Sequence, residues 1–331
     1  MRALLVEAPG SVAIREVPDP TPGPAALVRM QRVGLCGTDR KFVHGAVAVD
    51  LPRILGHELV GRVAVAGRRN QPPEGTRVLV DPNIACGRCP VCRYDRPHLC
   101  PHGALMGRDV DGGAADYATV DEDRLYPIPA EISDDAAAVL QPLATCVHAQ
   151  DSVAALPGQT AVVVGLGVAG LLHTQLLRVR GVRQVIGVTR SEWKRELATD
   201  LGADLVVHPE EAAEAVADAT DGYGADVVVE SAGTPETLRQ ATVLAGPGGT
   251  VVAFGITARA DAMPTYEWYF KELTIVSPRS ARPRDFPRAI ALARRQLRLA
   301  PLVSASYPLH AAAEALASLD DSDRLKVVLE V

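Results

Sequence analysis

The sequence predicts an α/β protein whose second half is a doubly wound parallel sheet and whose first half binds metal. Three observations lead there. A short β-branched run, Thr160-Ala-Val-Val-Val, feeds a G-x-G-x-x-G turn at Gly165, Gly167 and Gly170. Further apolar runs, Gln184–Thr189, Ala225–Glu230 and Gly249–Gly255, alternate with helical stretches, as strands of a parallel sheet must. Five cysteines and His57, all within the first hundred residues, fall into two separate patterns.

The first pattern is open. Cys36 sits in Gly34-Leu35-Cys36-Gly37-Thr38-Asp39 and His57 in Gly56-His57-Glu58, so one thiol and one imidazole, far apart in sequence, would leave coordination positions free, as a catalytic metal needs. The second pattern is closed. Cys86, Cys89, Cys92 and Cys100 form C-x2-C-x2-C-x7-C, and four thiolates at such spacing can wrap one zinc ion tetrahedrally in a structural site. Two disulfides, an iron-sulfur cluster or coincidence are the alternatives. Disulfides are disfavoured in a reducing compartment, and the ferredoxin interval before Cys-Pro is three residues where this chain has seven before Cys100-Pro101. Arg88, Arg93, Tyr94, Arg96, His98 and His102 read as loop surface.

In the glycine turn, Gly165 permits the sharp bend, Gly167 lets backbone approach a pyrophosphate, and Gly170 lets the helix opening at Val168 pack on the strand, its N-terminus toward the phosphates. Phe254 and Gly255, closing the last run, complete the candidate cofactor contacts. Cofactor choice is read at the end of the second strand. An NAD-binding chain places Asp or Glu there for the ribose 2′-hydroxyl; this one has Thr189-Arg190-Ser191. Two hydroxyls around a guanidinium suit a 2′-phosphate, so NADP(H) is expected to be preferred, with NAD(H) possible. Lys194 and Arg195 either add charge or face solvent.

Composition bounds the rest. A chain of 331 residues, 47% apolar, has material for two full cores. A net charge of -6 without a basic stripe speaks against nucleic acid or an anionic membrane as partner. The opening Met-Arg-Ala-Leu-Leu-Val-Glu is not an apolar targeting segment, and no long apolar run follows, so a cytoplasmic protein is expected.

The order of these landmarks resembles the zinc-dependent medium-chain dehydrogenases over essentially the whole chain. Gly34–Asp39, Leu55-Gly-His-Glu-Leu-Val-Gly61, Asp111-Gly-Gly-Ala-Ala-Asp-Tyr117 and Leu325-Lys-Val-Val-Leu329 all look like that family's blocks. The resemblance implies a GroES-like β-barrel catalytic domain from residues 1–142 and 280–331, with the zinc loop at 86–100, and a Rossmann domain at 143–279. It implies a cofactor in the cleft between them, one catalytic and one structural zinc, and a homodimer or homotetramer. Cys36 and His57 would bind the catalytic zinc, and Thr38 would pass the alcohol proton toward solvent. Relatives carry Glu or Cys as third ligand where this chain has Gln141-Pro142-Leu143, a neutral donor that would leave the centre net positive. Glu58 could then be an exchanging fourth ligand, as in some archaeal glucose dehydrogenases that resemble this chain in both blocks. Cys146 is a rival third ligand, or helical packing.

The polyol and sugar relatives point to a polar secondary alcohol or its ketone as substrate. Residues 44–53, 105–111 and 264–284 are the expected pocket segments. His44 either lines the cleft or faces solvent, and Lys41 either extends the proton relay or is an ordinary surface lysine. Asp109, Glu267, Trp268 and Arg279 are candidate substrate contacts, His148 is expected at the domain junction, and His173, His208 and His310 fall outside the motifs. A threonine-like amino-alcohol dehydrogenase, a zinc-free quinone reductase and a non-catalytic NADPH-binding protein are the competing readings.

Overall fold

The computed structural model describes every residue except Pro22, Ala258 and Ala260. The chain divides into two compact units, Met1–Ala144 with Ala281–Val331, and Thr145–Ser280. The division falls inside one helix, Leu140–Gln150.

The first unit is built on a seven-stranded, mostly antiparallel sheet. Along its path run Leu125–Pro127, Arg77–Val80, Glu58–Val65, Ala26–Leu35, Lys326–Glu330 and Val303–Pro308, with Tyr117–Val120 also paired to Ala26–Leu35. The last two strands are parallel to each other. A smaller sheet of Ser11–Glu16, Arg2–Ala8 and Arg53–Ile54 lies beside it. Inward positions alternate along the strands, and Leu4, Val28, Met30, Val33, Leu59, Val78, Val80, Val327 and Leu329 fuse into one buried cluster, the period-2 burial expected of a sheet with one face on a core.

Register decides what this sheet positions. Gly34 pairs with Glu58 on one side and Val328 on the other, and Leu35 pairs with Val327. Cys36 directly after one strand, His57 directly before the next and Lys326 at the start of a third are therefore neighbours, although they come from three distant parts of the chain. Gly34 makes the arrangement sterically possible, because a Cβ there would overlap the Glu58 carboxylate.

The second unit is a six-stranded parallel sheet ordered Leu205–Val207, Gln184–Val188, Thr160–Val164, Ala225–Glu230, Ala245–Ala253, Thr274–Val276. Its central strand Thr160–Val164 is buried at all five positions, as parallel strands covered on both faces are. Strand order reverses between Thr160–Val164 and Ala225–Glu230. Leu205–Val207 is an edge strand the sequence reading passed over, and the last expected strand starts earlier than anticipated, at Ala245. Among the described residues no helix is long and apolar enough to cross a membrane.

Candidate metal centres and cofactor crevice

Four sulfurs converge in the loop after Arg77–Val80. The Sγ atoms stand 3.5 Å apart for Cys86–Cys100 and Cys89–Cys92, 3.8 Å for Cys89–Cys100 and 4.0 Å for Cys86–Cys92. A tetrahedron with Zn–S bonds of about 2.3 Å has edges of about 3.8 Å, whereas a disulfide needs about 2.0 Å. The geometry fits one zinc ion, and no two of these sulfurs are at bonding distance. Backbone N–H groups of Arg88 and Cys89 pull the Cys86 thiol down to about 6, whereas burial and the neighbouring sulfurs push Cys92 up to about 12, so of these two thiols Cys86 is the readier to ionise. Arg88, Arg93, Tyr94 and Arg96 are exposed around this cradle. His98, expected on the surface, is instead buried within the turn Pro97–Leu99, because that turn folds inward to deliver Cys100.

The second cluster unites Cys36, His57 and Glu58, whose ligand atoms lie within 4.8 Å of one another. Cys36 caps the short helix Gly37–Val43, its sulfur accepting from the Thr38 N–H at 3.2 Å, while the Asp39 Oδ2 accepts from the Cys36 N–H at 2.9 Å. The other oxygen of that fully buried carboxylate lies 3.2 Å from His57 Nδ1. Asp39 thus orients the imidazole and leaves its Nε2 as the nitrogen available to a metal, the supporting contact that ligating histidines usually have. Burial works against an imidazolium here, but Asp39 and the Cys36 sulfur outweigh it and raise the His57 pKa well above its ordinary value.

Lys326 is the residue the sequence reading missed. Its ammonium, buried in the same cluster, donates to both Glu58 oxygens at 2.8 and 2.5 Å and to the Leu35 carbonyl at 3.1 Å. Burial opposes its charge, yet Glu58, Cys36 and Asp39 overcome that and hold its pKa above the usual lysine value. Glu58 therefore stands with Cys36 and His57 and is already paired with Lys326. Gln141 is the buried second residue of the helix Leu140–Gln150. Cys146, on the same helix, is fully buried with its sulfur 3.9 Å from the Ala169 carbonyl, and burial pushes its thiol pKa up, the profile of an inert packing cysteine.

Other candidates are placed as follows. His44 caps the end of Gly37–Val43 and is exposed. Asp109 accepts from the Leu105 N–H at 2.8 Å and from the Arg108 guanidinium, so its carboxylate serves its own turn. Glu267 and Arg279 are exposed and Trp268 is half-buried. His148 is buried.

In the second unit the three glycines meet three different surroundings. A Cβ on Gly165 (φ +90°) would come within 2.8 Å of the Ala232 Cβ, and one on Gly170 would strike the Gly165 carbonyl. A Cβ on Gly167 would meet nothing within 4 Å, so open space lies before the N-terminus of the helix Val168–Val179, as an anion approaching its free N–H groups requires. At the end of the second strand Thr189 is buried and its Oγ1 accepts from the Ser191 N–H at 3.2 Å. Arg190 is exposed and in none of the ion pairs among the described residues; Lys194 lies 5.2 Å from the Trp193 ring, and Arg195 pairs with Glu192 at 3.5 Å. Phe254 sets its ring edge-on to His173, 4.8 Å between centroids. His173 is fully buried, contacts the Gln150 amide at 3.0 Å, and is kept neutral by burial, which lowers its pKa to about 3.

Two family models match this chain, an alcohol dehydrogenase GroES-like domain over residues 22–130 and a zinc-binding dehydrogenase over residues 168–295. The sorbitol dehydrogenase of Halalkalibacterium halodurans is 30% identical over 328 residues, covering 97% of this chain and 96% of its own. The chain belongs to the zinc-type medium-chain dehydrogenase/reductase family. This dehydrogenase is also 32% identical to the L-threonine 3-dehydrogenase of Symbiobacterium thermophilum over 268 residues, 78% of this chain and 76% of that one. A zinc-binding dehydrogenase from Sinorhizobium meliloti 1021, solved bound to NADP, superposes with a TM-score of 0.93 at 34% identity over all of this chain and 99% of its own. The RspB alcohol dehydrogenase of Escherichia coli CFT073, solved with NADH, gives 0.93 at 28% identity over 100% and 99%. The first unit of the dehydrogenase is its GroES-like domain, and the parallel sheet is its Rossmann domain.

Proposed function

We propose that this dehydrogenase transfers a hydride between NADP(H) and a secondary alcohol, or the matching ketone, of a sugar, polyol or cyclitol. The observation that carries the reading is the convergence of Cys36, His57 and Glu58 within 4.8 Å at the base of the helix that bears Thr38. A zinc ion held there by Cys36, His57 and Gln141 would supply a Lewis acid for the substrate oxygen, and the four-cysteine loop would hold a second, structural ion. The protein's own groups do the remaining work. Asp39 fixes the ring of His57, Thr38 offers a hydroxyl to carry the alcohol proton outward, and Lys326 neutralises Glu58 while leaving it free to exchange. The neutral Gln141 then keeps the centre net positive by formal count.

Arg190, exposed between Thr189 and Ser191, supports NADP(H) over NAD(H), and the NADP-bound relative supports it further; the NADH-bound relative makes NAD(H) the competitor. The exposed aromatic helix Thr265–Lys271 beside the edge strand Thr274–Val276 favours a homodimer, and the free thiols suit a reducing cytoplasm. The threonine dehydrogenase relatives favour a second reading, a threonine-like amino alcohol as substrate.

Nicotinamide absorbance during incubation of the zinc-loaded protein with NADP or NAD and a panel of sugars, polyols, aminocyclitols and amino alcohols tests both. The expected outcome is turnover with NADP on a polyol-type substrate, abolished by a chelator, with altered zinc content and rate in Glu58→Gln and Gln141→Glu. Turnover confined to amino alcohols selects the second reading. Chelator-resistant turnover would sink the zinc assignment.

A further inference from the structure

Glu230 ends the strand Ala225–Glu230, is 1% exposed, and lies beside Thr160–Val164 where the strand order reverses, the place at which open α/β sheets take their ligands. Its Oε1 accepts from the Ala232 N–H, the Gly233 N–H and the Thr237 hydroxyl, each at 2.8 Å. Its main-chain carbonyl accepts from the N–H groups of Phe254 and Gly255, both at 2.9 Å. The next residue, Ser231, donates from Oγ to the Gly165 carbonyl at 2.6 Å and from its N–H to the Val164 carbonyl at 2.9 Å. Two consecutive residues thus tie together the glycine turn, the loop leading into the helix Pro235–Leu244, and the loop after Ala245–Ala253.

The fit leaves no slack. Ala232 sits so close to Gly165 that a Cβ there would be 2.8 Å from its own, and a Cβ on Gly255 would fall 2.7 Å from the Glu230 Oε2. Gly233 takes a φ of +77°, a turn the carboxyl stabilises by accepting two successive N–H groups. Those N–H groups are spent on Glu230, so the residue acts by shaping the crevice wall. Remove the acceptor, and buried donors must be desolvated for nothing or the loop must move.

We infer that Glu230 is a positioning residue for the dinucleotide: it preforms the crevice by pinning residues 231–233 and 254–255 around the Gly165–Gly170 turn, without touching the cofactor. A preformed wall lowers the ordering cost of binding, so its loss appears in cofactor affinity. This inference rests on the dinucleotide reading above and adds a residue that no motif in the chain points to.

The test titrates zinc-loaded, full-length protein with NADPH and NADH by nicotinamide fluorescence, alongside zinc content and Tm, in wild type, Glu230→Leu, Glu230→Gln and Thr237→Val. Glu230→Leu is expected to raise Kd about tenfold or more, the scale of one or two lost hydrogen bonds. Glu230→Gln, whose amide oxygen can accept the same three donors, should recover most of the affinity. Thr237→Val, lacking one donor, should lie between them, with zinc content unchanged throughout. A folded Glu230→Leu with wild-type Kd overturns the inference. Should that variant fail to fold, wild-type Kd in Thr237→Val does the same, and so does a Glu230→Gln that falls as far as the leucine variant. Wild-type protein that binds neither NADPH nor NADH would instead defeat the dinucleotide reading, and this inference with it.

Discussion

Lys326 and Glu58 form an ion pair with side-chain exposures of only 5% and 4%. Removing one partner of such a pair strands a charge in low dielectric, a loss of about 3–5 kcal/mol. Lys326→Met should therefore destabilise the metal-free protein by that order. Zinc gives the orphaned carboxylate a new cationic partner, and a ligand that binds only the folded state stabilises it. We expect zinc to raise the Tm of Lys326→Met further than that of wild type, as scanning calorimetry with and without the ion would record. An equal zinc-induced shift in both proteins would show that Glu58 does not exchange between ammonium and metal. Cys36, His57 and Glu58 were legible in the sequence as candidates because residue type and neighbours mark them, and the structure brings the three together. Lys326 sits inside an apolar run, and its partner is 268 positions away, so only the register of three strands reveals it. Glu230 was hidden in the same way, as the last letter of a strand.

The loop that follows Arg77–Val80 shows what a single element adds. Asp81 lines a cleft of about 410 Å³ with Asp121, Asp123, Arg124 and His98, next to the four-cysteine cradle. Burial pushes its carboxyl up to about 6, against the pull of the Asn83 N–H and amide at 2.9 and 2.7 Å and of Arg124. A carboxyl whose folded pKa exceeds its ordinary 3.8 stabilises the fold fully below about pH 4, and the benefit is lost as pH rises through about 6. The swing is about 3 kcal/mol for a shift of this size. Asp81→Asn, which keeps an oxygen for Asn83, should raise Tm at pH 8 relative to wild type and flatten the profile between pH 4 and 7. An unchanged profile would mean that the carboxyl is solvated in solution. The same element marks a limit of sequence reading. Four cysteines predict the cradle, but nothing in Pro97-His98-Leu99 signals that the histidine turns inward. Likewise the strands Gln184–Val188 and Ala225–Glu230 stand out by their β-branched runs, while three-residue Leu205–Val207 is too short to show a period.

Across the whole molecule, the helix Thr265–Lys271 exposes Tyr266, Tyr269 and Phe270 at 75%, 78% and 65% and leads directly into Thr274–Val276, the edge strand of the six-stranded sheet among the described residues. Contiguous exposed aromatics of this kind mark association surfaces, and an open edge is a template for another strand. Light scattering should find a dimer, and Tyr269→Glu with Phe270→Glu should shift it toward monomer; a wild-type monomer at micromolar concentration would refute the surface. The division of the chain also orders its own synthesis. The Rossmann unit is one uninterrupted stretch, Thr145–Ser280, whereas the unit that carries Cys36, His57 and Glu58 waits for Ala281–Val331. A nascent chain can finish the uninterrupted unit first, and until Lys326–Glu330 leaves the ribosome the carboxylate of Glu58 has no ammonium to meet. Until then Ala26–Leu35 pairs with Glu58–Val65 and Tyr117–Val120 but lacks its third neighbour, so a chain interrupted before Lys326 would carry a complete Rossmann unit and a Glu58 whose buried charge has no lysine to balance it.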